Sequence, residues 1–442
     1  VAHARYKTIV DGFASRIRDG RLPPGTRLPT HRDLAREHGV ALATATRVYA
    51  ELAGAGLVVG EPGRGTFVRD QSGYAGAEPP RVPREHRVAD LSFGRPLSPG
   101  QDSDLRAALR RLAAAGDAGS LLLQPPPGGR AADRAAVATH LLGAGIDAAP
   151  DEVLLTAGAQ HGLDSAVRAL TRPGEVVAVD ESTYPGVKLT AGLHGVELAP
   201  VPHTPSGMDT GALDALCRRR SVAAVYTMPT VHNPLGTVMD GERRLALAAL
   251  VRRHGLVLVE DGTHAFLDPG APPPVRSLAP GRTVYLASLS KNLATGLRFG
   301  ALVAPSALRG RLTRALRAST WGVPPLVAAL AAGWLRDGTV ERLEQERRSR
   351  ARRRQRLAAR ALTGLDYRAH PGSDFGWLRL PREPRPATVA RDLAGRGVLV
   401  STEEAFAVGP HPAPALRLSL SSPASSAELE RALKEVRAVL PE

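Results

Sequence analysis

Apolar positions near the start of the chain recur with a helical period. Tyr6, Ile9, Val10, Phe13 and Ile17 fall on one helical face, and Gly20 follows as a stop. RLPPGTRLPT is a Pro/Gly turn. A short helix is predicted from about His31 to His38, with Thr30 as its N-cap and Gly39 as its end. In a further helix, about Leu42 to Ala53, Ala45, Val48, Tyr49 and Leu52 stand at i, i+3, i+4 and i+7. That stripe leaves Ala43, Thr44, Thr46 and Arg47 on the opposite side. Helix, glycine-containing turn, helix is a helix-turn-helix pattern whose second helix suits a major groove. LVVGEPGRGTFV then reads as two strands around Gly63-Arg64-Gly65. A wing with an arginine at its tip suits backbone or minor-groove contact. On pattern alone, a small helical cap packed on the rest of the chain fits equally well.

Residues 71–90 are Pro/Gly-rich, charged and non-periodic, and read as a partly extended linker. From Leu91 onward short apolar runs alternate with helical stretches, which predicts an α/β domain with a mainly parallel sheet. No repeat of fixed period is present.

With 442 residues the chain is long enough for two or three domains. The lone Cys217 excludes a disulfide framework and a cysteine-only metal centre, and no metal ligand set is read from the sequence. No apolar run of about 18 residues and no secretory leader pattern is seen, so the expectation is a soluble, cytoplasmic protein. The formal charge is +15, which suggests a polyanionic partner. Its placement weakens the simple version of that argument. Residues 1–70 carry +4, whereas the Arg-rich stretch 336–360 carries +6. The latter reads as a long helix with a solvated face and acidic partners such as Glu341 and Glu344.

Candidate chemistry gathers at strand ends. TVYLASLSKNLATGLRFGALV is a strand, a Ser-rich loop, Lys291 and Arg298. A lysine there can condense with an aldehyde, and Ser288 and Arg298 can hold a phosphate. LVLVEDG is a buried strand ending in Glu260-Asp261. A carboxylate in that place is costly unless paired, and opposite a pyridine nitrogen it keeps the nitrogen protonated. VAAVYTMPTVHNPLG is a strand followed by Asn233, whose amide can donate to a phenolate oxygen. DEVLLTAGAQHGLDSAV is a strand, a glycine turn and a helix beginning near Ala159, whose free N–H groups offer a phosphate seat. VVAVDESTYPGV brings Tyr184 as a stacking platform. The carboxyl ends of parallel strands are where α/β sheets bind ligands, although each loop alone is an ordinary βα connection.

GRLPPGTRLPTHRDLAREHGV, TATRVYAELAGAGLV and GRGTFV resemble the winged helix-turn-helix of the GntR family over residues 1–70. The resemblance implies Arg32, Thr44, Thr46, Arg47 and Arg64 as DNA contacts. Residues 91–442 resemble a fold-type-I aminotransferase, a PLP-dependent transferase-like domain. This implies pyridoxal 5'-phosphate as cofactor, with Lys291 as the Schiff-base lysine, Asp261 on the pyridinium nitrogen, Asn233 on the ring hydroxyl oxygen and Tyr184 stacked on the ring. Gly158, Ala159, Gln160, Ser288, Ser290 and Arg298 would line the phosphate, and Arg417 would clamp an effector carboxylate. Two departures stand out. His264 occupies a cofactor-lining position where relatives carry a tyrosine, and Gln124 stands where a tyrosine reaches the partner's phosphate.

The two halves together resemble the MocR regulators. That resemblance implies a homodimer on a double-stranded DNA operator that senses the cofactor or an amino compound. The rival reading is an active aminotransferase with a vestigial N-terminal domain; His264 and Gln124 argue against it and Arg417 weakly for it. In a third reading the large domain is a dimerisation scaffold without cofactor.

Overall fold

The computed structural model describes residues 2–61, 63–69, 89–94, 98, 100–381, 383–409 and 412–440. The N-terminal head is three helices and a hairpin: α1 (Ala2–Arg18), α2 (His31–His38), α3 (Leu42–Gly54), β1 (Val58–Glu61) and β2 (Gly65–Val68). The apolar stripe read from the sequence is its core. Ile9, Val10 and Phe13 of α1 pack with Leu34 of α2 and with Ala45, Val48 and Leu52 of α3. Thr30 caps α2 by accepting from the Asp33 N–H, and Gly39 closes it at φ +59°, a backbone conformation that favours glycine. Tyr49 ties the two helices to the turn by donating to the Pro29 carbonyl at 2.6 Å. β1 and β2 pair antiparallel, Val58 opposite Val68.

Most of the stretch read as a linker lies outside the described residues. Its last two residues do not: Ala89–Asp90 is a short strand paired in parallel with Val398–Leu399.

The body is built on a seven-stranded sheet ordered Val153–Thr156, Gly300–Val303, Thr283–Ser288, Val257–Asp261, Val222–Thr227, Val176–Asp180 and Glu197–Val201. Gly300–Val303 runs antiparallel to both neighbours, and the other pairings are parallel. The central strands are apolar on both faces because helices cover both, the expected texture of a buried parallel sheet. A second lobe near the C-terminus holds an antiparallel sheet of Tyr367–Arg368, Phe375–Arg379, Ala415–Ser419 and Ser401–Thr402, in that order. Leu378, Leu416 and Leu418 of this sheet share a core with Leu429 and Leu433 of helix Ser426–Ala438.

The Arg-rich stretch is a helix, Thr339–Ala361, but not a uniformly solvated one. Arg347 and Arg354 are buried. Arg347 donates to the carbonyls of Asn292 and Leu293, and Arg354 to those of Leu420 and Pro423. Arg347 thus serves as an internal tie to the loop that carries Lys291 and Arg354 as one to the C-terminal lobe, and Glu344 accepts from the Asn292 amide at 2.7 Å. Periodicity alone does not distinguish such arginines from solvent-facing ones.

The head touches the C-terminal lobe. Arg391 donates to the Pro24 carbonyl at 2.7 Å, the Arg385 guanidinium lies over the Phe67 ring, and Arg64 pairs with Glu383.

Candidate functional site

Strand alternation sorts the two carboxylates at the end of Val257–Asp261. Glu260 turns to one face and accepts from the N–H groups of Val275 and Arg276, at 3.0 and 2.7 Å. Asp261 turns to the other, accepting from the Tyr226 hydroxyl at 2.8 Å and the Thr263 N–H at 2.9 Å. Burial raises the Asp261 pKa from the ordinary carboxylate value, and these donors only partly offset it.

Asp261 opens into a cavity of about 120 Å³ lined by Ala159, Gln160, Tyr184, Asn233, His264, Ser288, Ser290, Lys291, Arg298 and Arg417, together with Phe93, Gly94, Met228, Thr263 and Thr295. Nearly every cofactor residue read from the sequence meets here. Gly158 borders it: it precedes helix Ala159–Leu170 at φ +83°, and a β-carbon on it would lie 2.9 Å from Arg298 Nη2. A larger hollow of about 440 Å³ shares Thr263 and Ser288 but is not lined by Lys291.

The Lys291 amine donates to the Gly94 carbonyl at 3.3 Å and lies 4.9 Å from the centre of the Phe93 ring. Burial pushes its pKa down to about 8, opposed by Asp374 and helped by Arg417, Arg298 and Arg347. His264 is held neutral, its pKa pushed down to about 3 by burial, and its ring meets Phe375 edge-on at 5.1 Å. Arg417 projects from strand Ala415–Ser419, donates to the Ser92 carbonyl at 3.3 Å and rests over the Phe375 ring at 4.8 Å.

These donors fit pyridoxal 5'-phosphate. A helix N-terminus without a side-chain cap, Arg298 and the two serines offer a phosphate seat, and Ser290 Oγ, though buried, has no partner among the described residues. Asn233 Oδ1 and His264 Nδ1 are likewise buried and unpartnered among the described residues, on side chains that line the same cavity. Gln160 departs from the expected arrangement. Its amide donates to the Gly186 carbonyl and Thr190 Oγ1, leaving its backbone N–H for an anion. Gly186 permits this, since a β-carbon there would strike both Gln160 and Tyr184.

Sequence reasoning passed over Phe93, Gly94, Thr263 and Asp374. The LSFG and EDGTH stretches were the available signals for the first three. Nothing local marks Asp374, whose charge acts on the amine only because the lobe's fold brings the two near each other.

In the head, Arg32, Thr46 and Arg47 are exposed and Thr44 and Arg64 half-buried. Thr46 donates to the Leu42 carbonyl and contacts His31, whose ring stacks on Tyr49. Arg47 lies over the Tyr6 ring at 4.4 Å. Among the described residues no helix is long and apolar enough to cross a membrane.

Residues 86–436 match the model of the family described as aminotransferase class I and II, and residues 5–68 that of bacterial regulatory proteins, gntR family. The chain is similar to the HTH-type transcriptional regulator TauR of Rhodobacter capsulatus, 31% identical over 91% of this chain and 89% of that one. It is also similar to the HTH-type pyridoxine biosynthesis transcriptional regulator PdxR of Corynebacterium glutamicum, 31% identical over 75% of this chain and 74% of that one. Among solved structures, the α-aminoadipate aminotransferase LysN of Thermus thermophilus, complexed with a phosphopyridoxyl-leucine, superposes with a TM-score of 0.73 at 25% identity, covering 81% of this chain and 93% of that one.

Proposed function

The chain belongs to the GntR-headed, aminotransferase-like transcriptional regulators of MocR type, and on that premise we propose that its body holds pyridoxal 5'-phosphate at Lys291 and that this occupancy, or an amino compound reacting there, sets how the head meets its operator. One observation carries the reading: Lys291, Asp261, Asn233, Arg298 and Arg417 converge on a single cavity.

Bound there, the cofactor supplies an aldehyde that captures amines and a ring that withdraws electrons. The protein's residues do the rest. Lys291 offers an amine whose proton is lost more easily than in water. Asp261, kept in place by Tyr226 and Thr263, would pair with the ring nitrogen and favour its protonated form. Arg298 and the Ala159 helix end hold the phosphate. Arg417, a planar fork on a rigid strand, receives the carboxylate of an amino acid effector. The pyridoxine-related name of one relative supports a B6 vitamer as the ligand class.

Regulation is favoured over turnover because His264, neutral and aprotic at one nitrogen, replaces a phenol. An effector acts only through unequal affinity for two arrangements of the molecule. Arg32, Thr44, Thr46, Arg47 and Arg64 are the proposed DNA contacts, which places the protein with the cytoplasmic DNA. A homodimer would cover Leu105, Leu109, Leu122 and Leu123, which stand exposed on neighbouring elements; Leu122 is 89% accessible.

The test is a spectrum. Purified protein given the cofactor should gain a visible band, and borohydride should fix the label on the peptide containing Lys291. A labelled peptide elsewhere contradicts the assignment, and sustained transamination of amino donors would restore the enzyme reading.

A further inference from the structure

A buried polar cluster of Asp180, His203 and His232 adjoins the segment that carries Asn233. Asp180 ends strand Val176–Asp180 with no exposed surface. Its Oδ1 accepts from His203 Nδ1 at 2.7 Å, and its Oδ2 accepts from the Thr227 hydroxyl at 2.7 Å. His203 Nε2 contacts Thr237 Oγ1 at 2.7 Å. His232 Nε2 lies 3.4 Å from Asp180 Oδ2, and the two imidazole centres are 4.5 Å apart. Burial alone would raise the Asp180 pKa, but the neighbouring imidazoles of His232 and His203 outweigh it and hold the carboxyl below its ordinary range, although neither ring nitrogen of His232 has a hydrogen-bond partner among the described residues.

The cluster sits at both ends of one loop. His232 and Thr237 bracket Asn233, and the loop closes on itself through the His232 N–H to the Thr237 carbonyl at 2.9 Å and the Gly236 N–H to the His232 carbonyl at 2.6 Å. It contains a strained residue as well. Val231 is β-branched, buried and held at φ +52°, a conformation such residues avoid unless the surroundings impose it. His232 points down to Asp180, while its neighbour Asn233 lines the cavity.

We propose that Asp180, acting through His203, His232 and Thr237, is a positioning residue that fixes the 228–237 loop so that the Asn233 amide faces the cofactor's ring oxygen. The proposal rests on the cofactor reading given above. A divalent cation is the competing occupant, since the three side chains bring ligand atoms within 4.8 Å of one another. Both oxygens of Asp180 and both ring nitrogens of His203 already have partners, however, so a cation would have to displace those hydrogen bonds.

The consequence has a sign. An N–H aimed at the ring oxygen stabilises its anion, and the proton shared between that oxygen and the Lys291 nitrogen is then lost at lower pH. Loosening Asn233 therefore raises the pH at which the visible band converts. Asp374, Arg417, Arg298 and Arg347 also act on Lys291, and they stay unchanged in every variant below.

The experiment titrates the visible band of the cofactor-loaded full chain against pH in Asp180→Asn, Thr237→Val, Asn233→Ala and the Asp180→Asn/Asn233→Ala double variant, with melting temperature and bound metal measured alongside. Asp180→Asn should raise the midpoint by about one unit, the scale of one hydrogen bond. Thr237→Val should shift it less, in the same direction. The double variant should match Asn233→Ala alone, because the two residues act in series. If Asn233→Ala moves the midpoint while Asp180→Asn lowers only the melting temperature, the positioning role is wrong and the cofactor reading stands. If Asn233→Ala leaves it unmoved, the placement of Asn233 at the ring falls, and this proposal with it. One equivalent of zinc lost on Asp180→Asn would overturn the proposal in favour of a metal centre. Should Asp180→Asn not fold, Thr237→Val decides on the same criterion.

Discussion

The head and the body use charge in opposite ways. In the head, the proposed DNA contacts Arg32, Thr46 and Arg47 are exposed on a small helical frame. In the body, Lys291, Asp261, His264 and Asp180 all have protonation equilibria displaced by burial or by buried partners. Charge in water works at long range and yields to salt. Charge removed from water works at contact distance and responds to the placement of single atoms. One chain therefore joins a part whose affinity should track ionic strength to a part whose chemistry should track pH and geometry. Salt should therefore act first on the one, and pH first on the other.

The largest effect tests whether the body can be silenced alone. Lys291→Ala should abolish the visible band and borohydride labelling altogether. The variant's DNA affinity should nevertheless keep the wild-type salt slope, which a titration by fluorescence anisotropy reads.

Salt should do the converse. Raising it from about 50 to about 200 mM should weaken operator binding by roughly 10²–10³-fold if a dimer makes about five phosphate contacts, leaving the band unchanged. A flat salt response would mean that the arginines of the head are not on phosphates.

Arg47→Ala should cost about 1–3 kcal/mol of operator affinity if the residue reads a base edge, and should relax preference at one position. Its guanidinium rests over the Tyr6 ring, a contact that tethers the side chain without reading DNA, so Tyr6→Ala should weaken binding less than Arg47→Ala does.

For the body, burial lowers the Lys291 pKa to about 8, so the neutral, reactive amine gains about tenfold per pH unit below that point and levels off above it. Capture of the aldehyde, followed by stopped-flow absorbance, should show that profile. Asp374→Asn, which removes an opposing charge, should move the bend to lower pH.

The smallest effect separates stability from function in the head. Thr30→Ala removes the cap of α2 and should cost about 1 kcal/mol in thermal stability without altering the band.

The two regions were also unequally legible. In the head, a 3.6-residue period, a cap and a glycine stop are local signals, and they specify α2 and α3 to within a residue and, for α1, the buried face and the stop but not the start. The strand ends of the body were legible for a similar reason, since a buried parallel strand is a short apolar run and its ligand groups follow it directly. Distant pairings left no such trace. Asp180, His203 and His232 lie on three separate segments, and each alone is an unremarkable polar residue. Arg347 and Arg354 sit among exposed arginines on one helix, and only their acceptors at 292–293 and 420–423 set them apart. The turning of the Gln160 amide toward Gly186 is equally a matter of packing between two helices.

Coupling between the two regions is the central claim, and operator affinity measured at fixed salt, with and without the cofactor, tests it most directly. Wild-type protein should change its affinity on loading, whereas Lys291→Ala should not. Equal affinities for loaded and unloaded wild type would contradict the account.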